Sequence, residues 1–335
     1  MVVASGNCAN APPHPLEAEV VEVKLLVTGA AGLVGREVVS AAVRRGHTVY
    51  AGWHERRPEA GTPVKLDITD SGRVRNAFDM SPDVVVHLAA LTDVDRCEVN
   101  EAMANELNCL ATESIAREAV ARGVYMVFVS TDYVFDGKRG LYAEDDKPHP
   151  VNRYGWSKLK GEQAVEDASV NSCIARISTP YGVHPFRRSF ATFLADKLAA
   201  GEEVSVASDQ FTSPTYTVDL SLALVEIAER RIAGILHVSG SERCSRLNFA
   251  TALADRLSLD KLLIKPVLMS EIPWKAPRPR DSSLNVNRAI GLLRFRPSPL
   301  GDSLGRFAEL YMKERGAPES FNAVTPEGPR GSWKP

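Results

Sequence analysis

Long apolar runs are missing from this chain. No stretch approaches the roughly 18 consecutive apolar residues that a membrane-crossing helix needs, although 44% of its 335 residues are apolar. That apolar content is spread for burial in a core, and the length suggests two domains, or one large α/β unit with an elaboration. Charge of one sign is missing too: Lys+Arg 40 against Asp+Glu 42 leaves a net charge of -2, with no field to attract nucleic acid or an anionic membrane. Cysteines are few and odd in number (Cys8, Cys97, Cys109, Cys173 and Cys244), with no C-x-x-C pair. Neither a disulfide framework nor a zinc site is expected, and a reducing cytoplasm fits. The 7 histidines lack metal-ligand spacing, so no metal is expected. Residues 1–22 have no basic n-region or long apolar h-region and read as a disordered N-terminal arm; residues 315–335 read as a flexible tail.

What the chain does have is an alternation of short β-branched runs with amphipathic stretches. Residues 24–28 read as a buried strand, followed by the turn Gly29-Ala30-Ala31-Gly32-Leu33-Val34-Gly35 and a helical pattern that stops at Gly46. Glycines there permit a tight turn and close approach of backbone to a pyrophosphate, which a helix N-terminus stabilises with free N–H groups. Gly29, Ala31, Gly32, Leu33 and Val34 are the expected pyrophosphate contacts. A second strand, 48–52, runs into His54-Glu55-Arg56-Arg57. Arg56 or Arg57, with Arg36, suits a 2′-phosphate and favours NADP, whereas Glu55 keeps NAD open. A third strand, 64–66, ends at Asp67-Ile68, where Asp67 faces the adenine side. Helix, strand and helix follow at 71–80, 84–88 and 100–122, and His87-Leu88-Ala89-Ala90 places small backbone near the cofactor, with Thr92 next in line for the nicotinamide side or the substrate. The order predicts a Rossmann-type doubly wound parallel sheet.

Residues 124–129 read as a buried strand, so Ser130 and Thr131 stand where it opens into a loop, the place where ligands bind in open α/β sheets. If a helix starts near Asn152, Tyr154 and Lys158 are four residues apart and share a face. A free phenol with a pKa of about 10 is a poor proton shuttle. An ammonium roughly 4 Å away, at an effective dielectric of about 20, favours the phenolate by about 4 kcal/mol, or about three pKa units. Such a tyrosine would be poised near neutrality.

These pieces together resemble the extended short-chain dehydrogenase/reductase superfamily over about residues 24–314, and four motifs in order are similar to the dTDP-4-dehydrorhamnose reductase family: Ser130 to Gly137, Tyr154 to Glu162, Asp209 to Thr215, and Arg278 to Leu284. The resemblance implies hydride transfer from NADPH to the C4 ketone of a nucleotide-linked 6-deoxy sugar. It implies Tyr154 as general acid, Lys158 on the nicotinamide ribose and Thr131 on the ketone oxygen, with Asp132 and Tyr133 on the sugar and Gln210 and Thr215 on the nucleotide side. Arg278 and Arg280 suit the substrate diphosphate. Tyr133 stands where related 4,6-dehydratases carry a glutamate base, which favours reduction over dehydration; epimerases share the other features. The family's usual aromatic residue after the sixth strand is replaced by Thr179, and this segment is similar to the regulatory β subunit of methionine adenosyltransferase. That second resemblance implies NADP binding with a methionine adenosyltransferase catalytic subunit as partner. A homodimer is also expected.

In the second half the alternation loosens after a strand at 172–176. Helices are expected at 190–200, 218–228 and 247–257, a strand returning to the sheet at 235–238, a short strand at 263–267, a proline-punctuated loop at 273–279 and a closing helix at 307–313. The resulting division is an NADP-binding domain over 23–180 and an α/β substrate-binding lobe over 181–314, interleaved with the sheet.

Overall fold

Along each central strand the side chains alternate between two apolar layers, and this period-two pattern is what stacks helices on both faces of one sheet. The computed structural model describes residues 22–315. The readings of 1–22 and 315–335 as flexible ends therefore lie, but for Glu22 and Arg315, outside the described residues. The first half supplies β1 (Lys24–Thr28), α1 (Leu33–Arg44), β2 (Thr48–Trp53), β3 (Thr62–Lys65), α2 (Ser71–Phe78), β4 (Val84–His87), α3 (Val94–Val99), α4 (Glu101–Asn105), α5 (Ala111–Arg122), β5 (Tyr125–Thr131), α6 (Arg153–Asp167) and β6 (Ser172–Ile177). The second half adds β7 (Pro180–Tyr181), α7 (Phe190–Ala199), β8 (Val204–Ala207), β9 (Phe211–Thr212), β10 (Thr215–Tyr216), α8 (Thr217–Arg230), β11 (Gly234–His237), β12 (Cys244–Ser245), α9 (Arg246–Leu257), β13 (Ile264–Val267), α10 (Asn287–Leu292) and α11 (Leu300–Arg315).

Seven parallel strands form the main sheet in the order β11-β6-β5-β4-β1-β2-β3, the expected doubly wound arrangement. Leu25, Val27, Val84, Val86, Val127 and Val129 share a core with α1 and α8; Leu26, Val85, Met126 and Phe128 share the other with α2, α5 and α6. The strand expected to return from the second half does so, pairing Ile235 with Ile174 at the sheet edge. A separate apolar core, centred on Tyr181, Phe249, Phe307 and Tyr311, joins α7, α9 and α11 to the parallel pair β8 and β13.

One expected helix is broken. The pattern over 100–122 suggests continuity, yet α4 gives way to a π-helical turn at Glu106–Leu110 before α5 begins. Hydrophobic spacing does not register a single extra residue per turn, and such turns gather at functional sites.

Gly35 brings α1 down onto β1. A Cβ there would lie 2.1 Å from the Gly29 carbonyl oxygen, which is backbone and has no room to yield. Gly35→Ala is expected to destabilise the fold by about 1–3 kcal/mol. Gly291→Ala, in open space on α10, is expected to stabilise it by up to about 1 kcal/mol. Urea unfolding of the two variants checks the contrast.

Candidate active site

The crevice lies at the carboxyl ends of β1, β4 and β5, where the strand order reverses. Gly29 has φ +66°, and a Cβ on it would sit 2.9 Å from the Ala89 nitrogen, so the turn presses directly on the 88–90 segment. Thr28 fastens the same contact: its hydroxyl accepts the N–H groups of Leu88 and Ala89, each at 3.1 Å, and pairs with His87 Nδ1 at 2.7 Å. Gly32 precedes α1 with no side-chain cap, so the first amides of the helix, at Leu33 and Val34, have no side-chain acceptor. A bare helix N-terminus behind a turn without Cβ atoms fits a pyrophosphate.

The other cofactor candidates are placed as follows. Ala31 is half-buried on the turn and Ala90 at the strand end. Arg36 is paired with Glu59 at 3.1 Å, Arg56 lies 4.3 Å over the Phe186 ring, and Arg57 is exposed. Asp67 holds the Thr69 hydroxyl and amide in a turn, which keeps its carboxyl below the usual range, and Ile68 is buried.

Helix α6 begins where expected, with Asn152 Oδ1 accepting the Gly155 N–H at 2.8 Å. Tyr154 and Lys158 are consequently on one face, and the Tyr154 hydroxyl lies beside Thr131, which partly offsets its desolvation. The electrostatics differ from the sequence expectation. Burial pushes the Tyr154 phenol up, and burial lowers Lys158 to about 7 against a smaller opposing pull from Glu162. Lys158 does not acidify the phenol in the chain alone, because both groups are desolvated and the ammonium rests 4.1 Å over the Phe128 ring. Burial, aided by Lys158, holds His87 neutral at about 3, so its ring bridges Thr28 and Thr112.

Two supports were not found from the sequence. Asn108, in the π-helical turn, accepts the Leu91 N–H at 2.8 Å and donates to the Leu91 carbonyl at 3.0 Å and to Ser157 at 2.9 Å. Ser157 sits between Tyr154 and Lys158, so Asn108 ties α6 to the end of β4. The available signal was an asparagine in mid-helix, where it is a poor former. Glu162, one turn past Lys158, holds Arg176 bidentately at 2.7 and 3.0 Å and accepts from Ser130, all three being almost fully buried.

On the substrate side, Asp132 is 2% exposed and accepts from Thr131, Ser178 and Ser282, at 3.1, 2.8 and 2.6 Å. Burial raises it to about 6 despite these hydroxyls. Tyr133 meets Tyr154 edge-on at 5.9 Å and lies near Gln210. Thr92 is exposed at the rim. Thr215 spends its hydroxyl inside the fold, on the Ser178 and Ser213 carbonyls. Arg278 is likewise committed: its Nη1 donates to Asp95 and to the Ala276 carbonyl, fastening the 273–279 loop to α3. Arg280 is exposed. Arg246, unremarked in the sequence, lies 4.5 Å over Phe190 and forms no ion pair among the described residues; burial raises Asp132 and Tyr133, and the Arg246 charge opposes that rise in part. Thr179 takes φ +39°, a strained conformation for a β-branched residue, with its carbonyl accepting from Thr215.

Fold and crevice define a Rossmann-type α/β protein built around a dinucleotide turn. The chain belongs to the family described as RmlD substrate binding domain, whose model matches residues 23–312. It is 34% identical to the probable low-salt glycan biosynthesis reductase Agl14 of Haloferax volcanii, over 83% of this chain and 95% of that one. It is 32% identical to the methionine adenosyltransferase 2 subunit beta of Bos taurus, over 83% and 85%. Among solved structures it resembles the dTDP-4-dehydrorhamnose reductase of Bacillus anthracis in complex with NADP, with a TM-score of 0.77, 30% identity and coverage of 86% and 99%. Among the described residues no helix is long and apolar enough to cross a membrane.

Lys158 offers a direct test of these electrostatics. Its folded pKa is depressed from 10.5 to about 7, so the stability linked to it is complete above the unfolded value and is lost as pH falls through about 7. NMR of lysine-labelled protein is expected to show one Nζ titrating near neutrality, absent in Lys158→Arg. Titration of every lysine near its ordinary value contradicts the burial argument.

Proposed function

We propose that this chain is an NADPH-dependent reductase of the C4 ketone of a nucleotide-linked 4-keto-6-deoxy sugar, of the dTDP-4-dehydrorhamnose reductase type. The observation that carries the reading is the juxtaposition of Thr131 and Tyr154 beside a buried Lys158, at the mouth of a glycine turn whose helix has no side-chain cap. The similarity to an NADP-bound reductase over nearly its whole length supports it.

The dinucleotide, when bound, supplies a hydride. The protein's part is to hold the carbonyl and deliver a proton. Tyr154 Oη donates to the ketone oxygen and gives its proton as alkoxide character develops there, with Thr131 beside it and the Thr131 proton held by Asp132. A phenol whose pKa is raised stays protonated until that moment, and the alkoxide is the stronger base. Lys158, with its pKa near 7, is suited to return a proton to the phenolate and to regain one from solvent. Asp132 is not a base here, since both its oxygens are occupied by hydroxyls; it holds Thr131 in place. This leaves reduction favoured over dehydration. Arg246, rather than the committed Arg278, is the arginine for the substrate diphosphate, with Gln210 and Tyr133 flanking it. NAD in place of NADP remains compatible with Glu55.

A second reading rests on the likeness to the methionine adenosyltransferase β subunit, namely a dinucleotide-binding regulatory partner of a methionine adenosyltransferase. Co-purification with such a catalytic subunit, without NADPH oxidation on any nucleotide 4-keto sugar, favours that reading.

Tyr154→Phe is expected to lower turnover by about 10²–10⁴-fold while the NADPH Kd stays within about twofold. NADPH oxidation with a dTDP-4-keto-6-deoxy sugar checks it, and unaltered turnover removes Tyr154 from the chemistry. Arg246→Ala is expected to raise the substrate KM about tenfold or more with kcat little changed. An unchanged KM removes Arg246 from the diphosphate site.

A further inference from the structure

Between β7 and α7 the chain leaves the second core and crosses to the dinucleotide turn. His184, 6% exposed, organises this crossing. Its Nδ1 accepts the backbone N–H groups of Phe186 at 3.1 Å and Arg187 at 3.0 Å, so the ring proton is on Nε2. The other edge of the ring faces the backbone of Ala31 on the glycine turn, which favours a proton on Nε2. One imidazole thus folds the crossing segment and sets it beside the glycine turn.

The next two side chains reach the end of β2. Phe186 is 61% exposed yet lies under the Arg56 guanidinium at 4.3 Å, and Arg187 faces Glu55 at 3.8 Å. A large exposed ring stacked on an arginine, beyond the strand where an adenosine ribose sits, has no role in either apolar core. The C-terminal end of the crossing is equally well anchored: Ser189 caps α7 and donates to the Gly182 carbonyl at 3.0 Å.

We propose that residues 183–188 are a clasp over the adenosine side of the bound dinucleotide, folded by His184 beside the glycine turn and closed by Phe186 and Arg187 against Arg56 and Glu55. The clasp sets the rate at which the dinucleotide leaves. It rests on the dinucleotide-binding part of the reading above, and assigns to the second half of the chain a share of a site otherwise built from the first.

The test is the dissociation rate of NADPH, followed by its fluorescence in a stopped-flow chase with excess NADP. His184→Ala and the double variant Phe186→Ala/Arg187→Ala are both measured; the second changes only exposed side chains and serves if the first folds poorly. Either variant is expected to release NADPH about tenfold faster or more. Release within about twofold of the unaltered protein in the folded variants overturns the clasp and leaves the cofactor reading intact. Failure of the unaltered protein to bind NADPH or NADH overturns the cofactor reading and the clasp with it.

Discussion

The crevice depends on one buried carboxylate. Asp132 sits just past β5 with hydroxyls from the end of β5, the end of β6 and the segment before α10 all pointing at it. Such a group is costly to bury unless its lone pairs are filled, and here three donors fill them. Its pKa near 6 records the balance, with burial pulling up and the hydroxyls pulling down. Because each donor comes from a different segment, the carboxylate joins the sheet to the second half of the chain at the point where Thr131 must be held still. The Ser213 amide and hydroxyl extend the same cluster through Ser178 and Leu284.

A second buried network steadies the helix that carries the tyrosine and lysine. Glu162 and Arg176 are each almost fully enclosed, and Ser130 completes the carboxylate's hydrogen bonds. A buried pair of this kind adds little net stability but penalises any arrangement that separates the partners, since a lone charge would remain inside. From the other side, Asn108 binds Ser157. Helix α6 is therefore held at both flanks of Lys158, and the hydroxyls of Thr131 and Tyr154 meet. The pKa pattern follows from this enclosure: the phenol is higher and the amine lower than in water, so both rest neutral more readily and a proton shared between them goes to the phenolate.

The arginines illustrate how much an identity can mislead without a neighbour. Arg36, Arg278 and Arg176 all carry a guanidinium suited to phosphate, and all are engaged by carboxylates of the same chain. Arg246, by contrast, stands over an aromatic ring and forms no ion pair among the described residues. The likeness to proteins of two kinds, glycan reductases and a methionine adenosyltransferase β subunit, accords with a scaffold in which the dinucleotide half is common and the side chains over the second half vary.

From the sequence alone came the parallel sheet, its glycine turn, the capped helix bearing Tyr154 and Lys158, and the strand that returns from the second half. These follow from local periodicity, from Gly29 and Gly35, and from the four-residue spacing, which short-range sterics translate into structure. The tertiary structure alone decided which of the candidate arginines are free, that Thr215 and Asp132 serve the framework, that Asn108 faces Ser157, and that His184 reaches Ala31. It also reversed the expected electrostatics at Tyr154. Burial and pairing are properties of residues distant in the chain, and no local pattern encodes how much water is left around a phenol once the fold has closed.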